Sequence, residues 1–461
     1  VLQDVPIAVT AIGGEEMQNS GVTDIRQLNQ LAPSLLVSST GTEANGSARI
    51  RGIGTVGDNP GLESSVGLFI DGVYRSRTGV GLSELGPLDR IEVLRGPQGT
   101  LFGRNTSAGL ISVITAKPQY TPSVYGQVDV GNYNFRKLQL GATGGFSDTV
   151  AARLDGVIVK RDGFIKNSIT GDRANDRDRW MLRGQVLFQP TTDLSFRLIA
   201  DYTKRDETCC AAPYLPASDY TAAGRQPSTI KPLMQALGAV INDDPYERKA
   251  SWTEGYGYQS DVKDGGLSGE LNYDFGWAEL TSISAYRYNK WTRGTDADYN
   301  NLDILHRAPD GGSYNRFSTF TQEFRLNGNA GFVDWLVGAY FANEDLRVRD
   351  NLEYGSDYEK FANCLTALNP ATGLAPFFSP TSPSCFNSAA LAGAQAQLAA
   401  GIAQITAGIA AIDAALANPA LPPEQRAALL AQRAVLSAQL AALTAQAQGL
   451  AVINANPARP G

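Results

Sequence analysis

Most of the chain after Val124 alternates apolar and polar residues with a period of two, the pattern of a β-strand with one apolar and one polar face. Clear examples are residues 193–202, 267–275 and 320–327. Within the first of them the exception is Ile199. Such strands occur in soluble sandwiches, where the apolar face is buried, and in membrane barrels, where it contacts lipid.

The connections between these segments favour the membrane barrel. Short connections such as 189–192 and 275–276 alternate with long ones such as 162–178 and 204–263, as in transmembrane barrels. We count about nine strand-like segments by Asp345. Barrels of this kind close with an even number of strands. The sequence therefore predicts the N-terminal part of an antiparallel membrane β-barrel, incomplete in this chain. A soluble β-sandwich binding protein or enzyme is the alternative.

A glycine-rich stretch, residues 91–118, organises the N-terminal part of the chain, with two short β-branched runs around tight turns. Its segment Leu94–Asn105 reads LRGPQGTLFGRN, and Arg51–Gly52 and Phe69–Val73 (FIDGV) precede it in the same strand-and-turn form. In this order, the segments closely resemble the plug domain of TonB-dependent outer-membrane receptors. The resemblance covers about the first quarter of the chain.

This resemblance implies an α+β plug domain over residues 1–118 and, over residues 119–461, the N-terminal part of a large barrel of the 22-strand type, about 22 strands when complete. It implies a monomer in the lipid of the bacterial outer membrane that imports a scarce nutrient, most often a ferric siderophore. A glycan, cobalamin or an aromatic compound is the alternative cargo. Energy would come from the TonB–ExbB–ExbD complex, acting through an N-terminal segment that is expected to precede this sequence. No cofactor is expected.

Individual plug residues also receive roles by resemblance. Arg51 and Arg95 match plug arginines that lock onto glutamates of the barrel wall, and those glutamates are expected on later strands outside this chain. The alternative is that both are ordinary solvated arginines. The ligand-facing loops correspond to residues 41–45, 55–59 and 74–77, with the candidate contacts Thr42, Glu43, Asp58, Asn59, Tyr74, Arg75 and Arg77.

Charge and motifs argue against other functions. The net charge of −7 is unsuited to a nucleic-acid partner. Gly52–Gly57 matches G-x-G-x-x-G, but Asp58–Gly61 leaves no room for the helix that a dinucleotide site requires, so a turn is predicted. The acidic residues Asp296, Asp298 and Asp303 lack a regular spacing and are interpreted as a solvated loop rather than a calcium site. No serine or cysteine has a recognisable activating partner, so neither an enzyme nor a metal site is predicted.

The four cysteines fall into two pairs. Cys364 and Cys385 have a spacing that suits a disulfide closing a loop in an oxidising compartment. Cys209 and Cys210 are neighbours, and the sequence leaves open whether they bridge each other, stay reduced or pair elsewhere.

Residues 388–453 are rich in alanine, leucine and glutamine, with apolar residues spaced by threes and fours on both sides of a break at Asn418–Glu424. The pattern predicts an antiparallel helical hairpin within a long loop. The hairpin is either a surface coiled coil or an arm that contacts a partner or shields the pore. Its uncharged run Leu391–Ile412 is diluted by alanine, glycine and glutamine and is not interpreted as a transmembrane helix.

Overall fold

The fold of the chain, a computed structural model, is described for residues 8–455 except 21, 23–24, 40–43, 45, 56–58, 60, 78, 80–83, 215–217, 222–223, 228–229, 369–376 and 383–384. The chain divides into two compact units. The first comprises Val1–Leu215, Asn242–Tyr299 and His306–Glu353, and the second comprises Pro216–Ile241, Asn300–Leu305 and Tyr354–Gly461.

The first unit begins with a small α+β domain, called the N-terminal domain here. Its elements are β1 (Val9–Gly13), α1 (Gly14–Asn19), a 3₁₀ helix (Ile25–Gln30), β2 (Leu35–Ser39), β3 (Gly46–Ile50), β4 (Val66–Ile70), β5 (Val73–Arg75), β6 (Leu88–Arg95), α2 (Gly99–Phe102) and β7 (Gly109–Thr115). Five strands form a mixed sheet in the order β1-β6-β7-β4-β5, and β2 pairs with β3. Ile12, Leu35 and Ile111 belong to the buried core that both groups of strands share.

Seventeen further strands follow in the chain: β8 (Ser123–Gly131), β9 (Phe135–Ser147), β10 (Val150–Arg161), β11 (Ile165–Asn167), β12 (Arg173–Ala174), β13 (Arg177–Phe188), β14 (Leu194–Thr208), β15 (Ser218–Thr221), β16 (Gly224–Pro227), β17 (Lys249–Ala250), β18 (Gln259–Asp274), β19 (Ala278–Arg293), β20 (Thr295–Asp296), β21 (Leu305–Arg307), β22 (Ser313–Ala330), β23 (Val333–Arg349) and β24 (Glu353–Tyr354). Nine of them form one antiparallel sheet in the order β23-β22-β19-β18-β14-β13-β10-β9-β8. Among the described strands this large sheet is open, with β8 and β23 as its edges.

The two faces of the large sheet differ in the way that the alternation predicts. On one face apolar side chains are exposed, such as Leu154 at 54% and Leu267 at 50%. On the other face polar side chains such as Arg197 are buried, and the N-terminal domain packs there: Arg183 Nη1 donates to the carbonyl of Leu85 at 2.6 Å. An exposed apolar face opposite a buried polar face fits a membrane barrel and contradicts a soluble sandwich, whose apolar face would be buried.

Two glycines allow the N-terminal domain to approach the large sheet closely. Gly72 and Gly86 have φ values of 75° and 68°, in the left-handed region that favours glycine. A Cβ atom at Gly72 would lie 2.8 Å from Ile283 Cδ1, and one at Gly86 would lie 2.6 Å from Met181 Cε. At Gly72 and Gly86 the backbone of the domain therefore contacts side chains of the sheet so closely that no side chain would fit at either position.

The second unit contains helices α3 (Ile230–Ala236), α4 (Tyr358–Leu368), α5 (Ser388–Leu416) and α6 (Pro423–Ala455). A separate 3₁₀ helix, Pro245–Glu247, lies in the first unit. Helices α5 and α6 pack antiparallel: Gln395 Nε2 donates to the carbonyl of Leu450 at 3.2 Å, and Arg433 Nε lies 2.6 Å from Asp413 Oδ1. By length and composition alone both helices are long and apolar enough to cross a membrane.

The structure joins Cys364 to Cys385 in the second unit and Cys209 to Cys210 in the first. Cys364 and Cys385 are fully buried beside Leu233.

Replacing both Cys364 and Cys385 by serine is expected to destabilise α4 and its surroundings by about 3 kcal/mol, because their sequence separation of 21 closes a loop of intermediate length. Hydrogen exchange of the α4 amides measures the effect, and the matched variant Cys209→Ser/Cys210→Ser should leave α4 unchanged. Free thiols at positions 364 and 385 in the unreduced protein would contradict the pairing.

Candidate functional site

The arginines predicted to lock onto the barrel wall lie in the N-terminal domain away from the ion pairs described below. Arg51 is exposed and has a φ of 52°. Arg95 is half-buried, and its Nε lies 3.4 Å from the carbonyl of Ala8. Neither forms an ion pair within the part of the chain that the structure describes. Their role as a latch stays a prediction.

The predicted ligand-facing residues separate into two groups. Thr42, Glu43 and Asp58 lie outside the described residues. Asn59 is exposed, and its Oδ1 accepts a hydrogen bond from the Gly61 amide at 2.8 Å. The structure thus describes Asn59 as a turn residue.

Tyr74, Arg75 and Arg77 lie at or just after β5, against the large sheet. The Tyr74 hydroxyl accepts a hydrogen bond from Asn105 Nδ2 at 2.8 Å, and both Tyr74 and Arg75 are buried. Arg77 Nη2 lies 3.0 Å from Glu344 Oε1 on β23. These contacts link the three residues to their own domain and to the sheet, and contact with a ligand stays a prediction.

The first buried ion pair between the domain and the sheet involves Asp71, in the turn between β4 and β5. Its Oδ1 accepts from the Thr115 amide at 3.0 Å, and its Oδ2 accepts from the Thr115 hydroxyl at 2.8 Å. Arg197 Nη2, on β14, lies 2.9 Å from Asp71 Oδ1, and the two side chains are only 5% and 3% exposed. A buried charge is tolerated when it is paired and hydrogen-bonded, as Asp71 is here.

The second pair involves Glu84, which is also buried. Lys137 Nζ on β9 lies 3.2 Å from Glu84 Oε2, and Arg179 Nη1 on β13 lies 3.9 Å from Glu84 Oε1. Arg179 in turn binds Glu207 at 2.6 Å. The carboxylate of the N-terminal domain is therefore held by cations from two strands of the sheet.

A third cluster of charged side chains, on β14, β18 and β19, lies near Arg75. Arg287 binds Asp201 through two hydrogen bonds of 2.6 and 2.8 Å and binds Asp264 at 2.6 Å. Burial, followed by the positive charge of Arg287, lowers the pKa of Arg75 to about 10, while Asp201 and Asp264 oppose that shift. At neutral pH Arg75 remains charged, and the cluster contains two cations and two carboxylates.

Sequence reasoning missed the wall residues of these clusters, although a signal for them exists. Arg183, Arg197 and Arg287 occupy the polar positions of alternating strands, where a charge must face either a lumen or a packed domain. The alternation of residues along each strand identifies which side chains lie on this face. It does not identify the partner of each charge, which depends on how the domain docks.

Two clusters of buried ion pairs, the pair of Arg77 with Glu344 and a small apolar contact between Val73, Ile283 and Ala285 thus attach the domain to the sheet. Charged groups can exchange a protein partner for water when an interface opens, whereas a large apolar core loses its stabilisation. Within the described ranges, no group of three or more histidine, cysteine, aspartate or glutamate side chains could hold a metal ion. The arrangement is suited to holding and releasing a domain.

Asp296 corrects the interpretation of residues 296–303 as a solvated acidic loop. It is buried at the start of the connection after β19, and its carboxylate accepts hydrogen bonds from the amides of Thr253 at 2.7 Å and Tyr299 at 3.0 Å. Burial, followed by repulsion from Asp298, raises the pKa of Asp296 to about 8. The physical reason for the error is that the Thr253 amide of a neighbouring loop, which a sequence does not reveal, helps to enclose this carboxyl group.

This raised pKa predicts a pH-dependent loop. An unfolded aspartate releases its proton near pH 4, whereas folded Asp296 keeps it up to about pH 8, so the folded loop binds more protons between these values. Its stability should therefore fall as the pH rises from 4 to 8, by at most about 1.4 kcal/mol per pH unit.

Hydrogen exchange of the amides of residues 252–258, corrected for intrinsic rates, measures this dependence. Asp296→Asn should remove it, because asparagine does not titrate. Asp310→Asn, at an exposed loop carboxylate, should leave it intact. An equal stability of the loop at pH 5 and pH 8 in the unmodified chain would contradict the expectation.

Comparisons with known proteins agree with this arrangement. Residues 1–110 match the sequence profile of the TonB-dependent receptor plug domain. A ferrioxamine receptor of Yersinia enterocolitica is 22% identical over 390 residues, which cover 80% of this chain and 48% of that receptor. A pesticin receptor of Yersinia pestis is 28% identical over 174 residues, or 36% of this chain and 24% of the receptor.

The fold is shared with solved receptor structures. The ferric yersiniabactin uptake receptor FyuA from Yersinia pestis superposes with a TM-score of 0.60 at 20% identity, over 73% of this chain and 48% of that chain. The chain thus spans less than half the length of these relatives. The profile match covers the domain that carries the LRGPQGTLFGRN and FIDGV segments and that packs on the polar face of the sheet. Residues 1–110 therefore match the plug domain of TonB-dependent receptors, and the chain shares the fold of the ferric yersiniabactin uptake receptor.

Proposed function

We propose that this chain supplies the plug and the first wall strands of a bacterial outer-membrane transporter that binds a ferric siderophore and imports it. The observation that carries the proposal is the position of the plug. It is attached through buried charges, such as Asp71 with Arg197, to the polar face of a sheet whose other face exposes apolar side chains. The names of the ferrioxamine and yersiniabactin receptors support an iron complex as the cargo.

The physical logic of the proposal follows from the sheet. A barrel of about 22 strands would enclose a bore wide enough to leak, and a domain must therefore fill it. We propose that the plug comprises residues 1–118, that further strands complete the wall, and that the receptor acts as a monomer. The TonB–ExbB–ExbD complex supplies mechanical energy by pulling on a segment N-terminal to the plug. Ion pairs such as Glu84 with Lys137 can then exchange for water while the plug rearranges.

The remaining plug residues receive roles within this mechanism. Arg51 and Arg95 add to the attachment by binding wall carboxylates on strands outside the nine described here. Thr42, Glu43, Asp58 and Asn59 contact the ligand from the plug apices, with Tyr74, Arg75 and Arg77 at the wall behind them. Loops held by a rigid scaffold are suited to such binding.

Growth under iron limitation tests the proposal. A strain that lacks the full-length gene should fail to grow when a ferric siderophore of the ferrioxamine or yersiniabactin type is the sole iron source, and the gene should restore growth. Deletion of TonB should abolish the restored growth. Growth that is independent of the gene on every ferric siderophore, but dependent on it for cobalamin, a glycan or an aromatic compound, would replace the iron complex by that cargo.

A further inference from the structure

A row of cationic side chains crosses the exposed apolar face of the large sheet, near the end of the sheet at which the long connections lie. It consists of five residues on five neighbouring strands, each the register partner of the next: Lys204 (β14), Lys263 (β18), Lys290 (β19), Arg316 (β22) and Arg347 (β23). Register partners on antiparallel strands have Cα atoms about 5 Å apart. Five positive charges therefore lie side by side. We call this set the cation row.

The cation row lies on the face of the sheet that points away from the plug. Side chains two or four residues apart on one strand share a face. Lys204 shares its face with the exposed Tyr202, Lys263 with the exposed Leu267, and Arg316 with the exposed Phe320. The residues between them in the strands, such as Thr203, Asp264 and Phe317, are buried on the plug side.

Aromatic side chains indicate where the cation row lies relative to the apolar band of the membrane. At the short-turn end of the sheet, the Phe275 and Trp277 rings lie 6.0 Å apart, and Trp277 and Trp335 lie 6.3 Å apart. At the other end, Trp180 and Tyr202 lie 5.4 Å apart. Aromatic belts of this kind bound the apolar band of a membrane barrel, which is about 25 Å tall. Lys204 follows Tyr202 by two residues, so the row lies just outside the band, at the level of lipid headgroups.

The protein itself neutralises only the ends of the row. Lys204 Nζ lies 3.3 Å from Asp206 Oδ2, and Arg347 Nη2 lies 3.4 Å from Asp345 Oδ2. In the middle, Lys290 Nζ lies 5.6 Å from the centre of the Tyr314 ring. Lys263, Lys290 and Arg316 form no ion pair of 4 Å or less with any residue that the structure describes.

Other charges on this face reduce the repulsion without removing it. Asp261 precedes Lys263 by two residues on β18 and shares its face. The corresponding residues on β19 and β22 are Thr292 and Tyr314, which carry no charge at neutral pH, and the one on β23 is Arg349. Like charges directly opposite each other destabilise a sheet. The unbalanced middle of the row is therefore the part of this face that an anionic ligand would stabilise.

We propose that the cation row binds the phosphate groups of an anionic lipid in the outer leaflet of the membrane. The inference rests on the proposed placement of the apolar face in lipid. Phosphate oxygens between neighbouring strands would form charge-assisted hydrogen bonds with Lys263, Lys290 and Arg316, and two phosphates on one headgroup would bridge strands. The acyl chains would contact the apolar band below, including Leu267 and Phe320. Inorganic phosphate has no acyl chains to make this second contact, so a lipid is favoured over a soluble phosphate as the ligand.

Native mass spectrometry of the full-length receptor in detergent tests the proposal, with diphosphorylated lipid A and phosphatidylcholine as probes. The chain should retain lipid A in preference to phosphatidylcholine. In the variant Lys263→Gln/Lys290→Gln, lipid A binding should weaken roughly thirtyfold, the effect of two lysines near an anionic surface. The matched control is Lys166→Gln/Lys249→Gln, a second pair of lysines that are register partners, on the short strands β11 and β17. Its lipid A binding should stay within about twofold of the original.

Three results would overturn the proposal: equal retention of the two lipids, an equal loss in the row variant and the control, or complete displacement of lipid A by inorganic phosphate. Circular dichroism of both variants establishes that they are folded. Iron uptake is not measured in this experiment, so failure of lipid binding would leave the transporter function standing. Failure of the transporter function would instead appear as gene-independent growth on every ferric siderophore.

Discussion

Replacing Asp71 by alanine is expected to lower the stability of the plug by about 3–5 kcal/mol, because removing one partner of a buried pair leaves an uncompensated charge. The charge left behind is the guanidinium of Arg197, which is 5% exposed and keeps Glu270, at 3.5 Å, as its remaining and more exposed carboxylate partner. The Thr115 amide and hydroxyl lose their acceptor in the same step. Hydrogen exchange of the β4 and β7 amides measures the loss, since both strands adjoin the turn that carries Asp71.

The matched control is Asp89→Ala, in the same domain. Asp89 pairs with Arg90 at 2.6 Å, but the two side chains are about half exposed, and such pairs contribute about 0–1 kcal/mol. The double variant Asp71→Ala/Arg197→Ala should be less destabilised than the sum of the single variants, because the two residues are in contact. Equal losses for Asp71→Ala and Asp89→Ala would refute the importance of the buried pair.

Replacing Arg287 by methionine should have an effect of the same size, about 3–5 kcal/mol. The change removes three hydrogen bonds to Asp201 and Asp264 and leaves both carboxylates with Arg75 as the neighbouring cation from the plug. Because Arg287 repels Arg75, its loss should hold the plug more tightly, and the destabilisation should appear in the wall strands that carry Asp201 and Asp264. Hydrogen exchange along β14 and β18 measures that loss, and limited proteolysis of the plug should not increase.

The matched control is Arg307→Met, which breaks an arginine–carboxylate pair of similar geometry but less burial. Arg307 also binds a carboxylate through two hydrogen bonds, of 2.5 and 3.1 Å to Asp350, but that carboxylate is 42% exposed and also lies 3.2 Å from Arg293. Its loss should cost about 0–1 kcal/mol. If Arg307→Met destabilised its strands as much as Arg287→Met, burial would not be the factor that makes the Arg287 cluster strong.

Several features of this protein follow from short-range patterns in the sequence. The alternation after Val124 predicts strands with one apolar and one polar face, and the large sheet has nine strands with such faces, the number counted in the sequence. The segment Leu94–Asn105 indicates the plug, which the profile match over residues 1–110 supports. These signals lie within single strands or turns, where local backbone preferences and side-chain parity decide the outcome.

Other features depend on contacts between distant segments, which the sequence does not reveal. The resemblance assigns residues 74–77 to a ligand-facing loop, which stays a prediction, and only the structure shows that Arg75 is buried near the wall cluster of Arg287. The sequence interprets Asp296 as solvated, whereas the Thr253 amide of another loop and the Tyr299 amide enclose its carboxyl group. In both cases the residue type and its neighbours in sequence suit a polar turn, and only the segment that packs on them changes their environment.

The sequence by itself determined which side chains share a face of each strand, because successive side chains of an extended backbone point in opposite directions. The tertiary structure decided which of them meet: Asp71 with Arg197, Glu84 with Lys137, and the five neighbours of the cation row. Those partnerships depend on the register between strands and on the docking of the plug. A slip of two residues would keep every side chain on its own face and change every partner, and the alternation within a single strand does not exclude it.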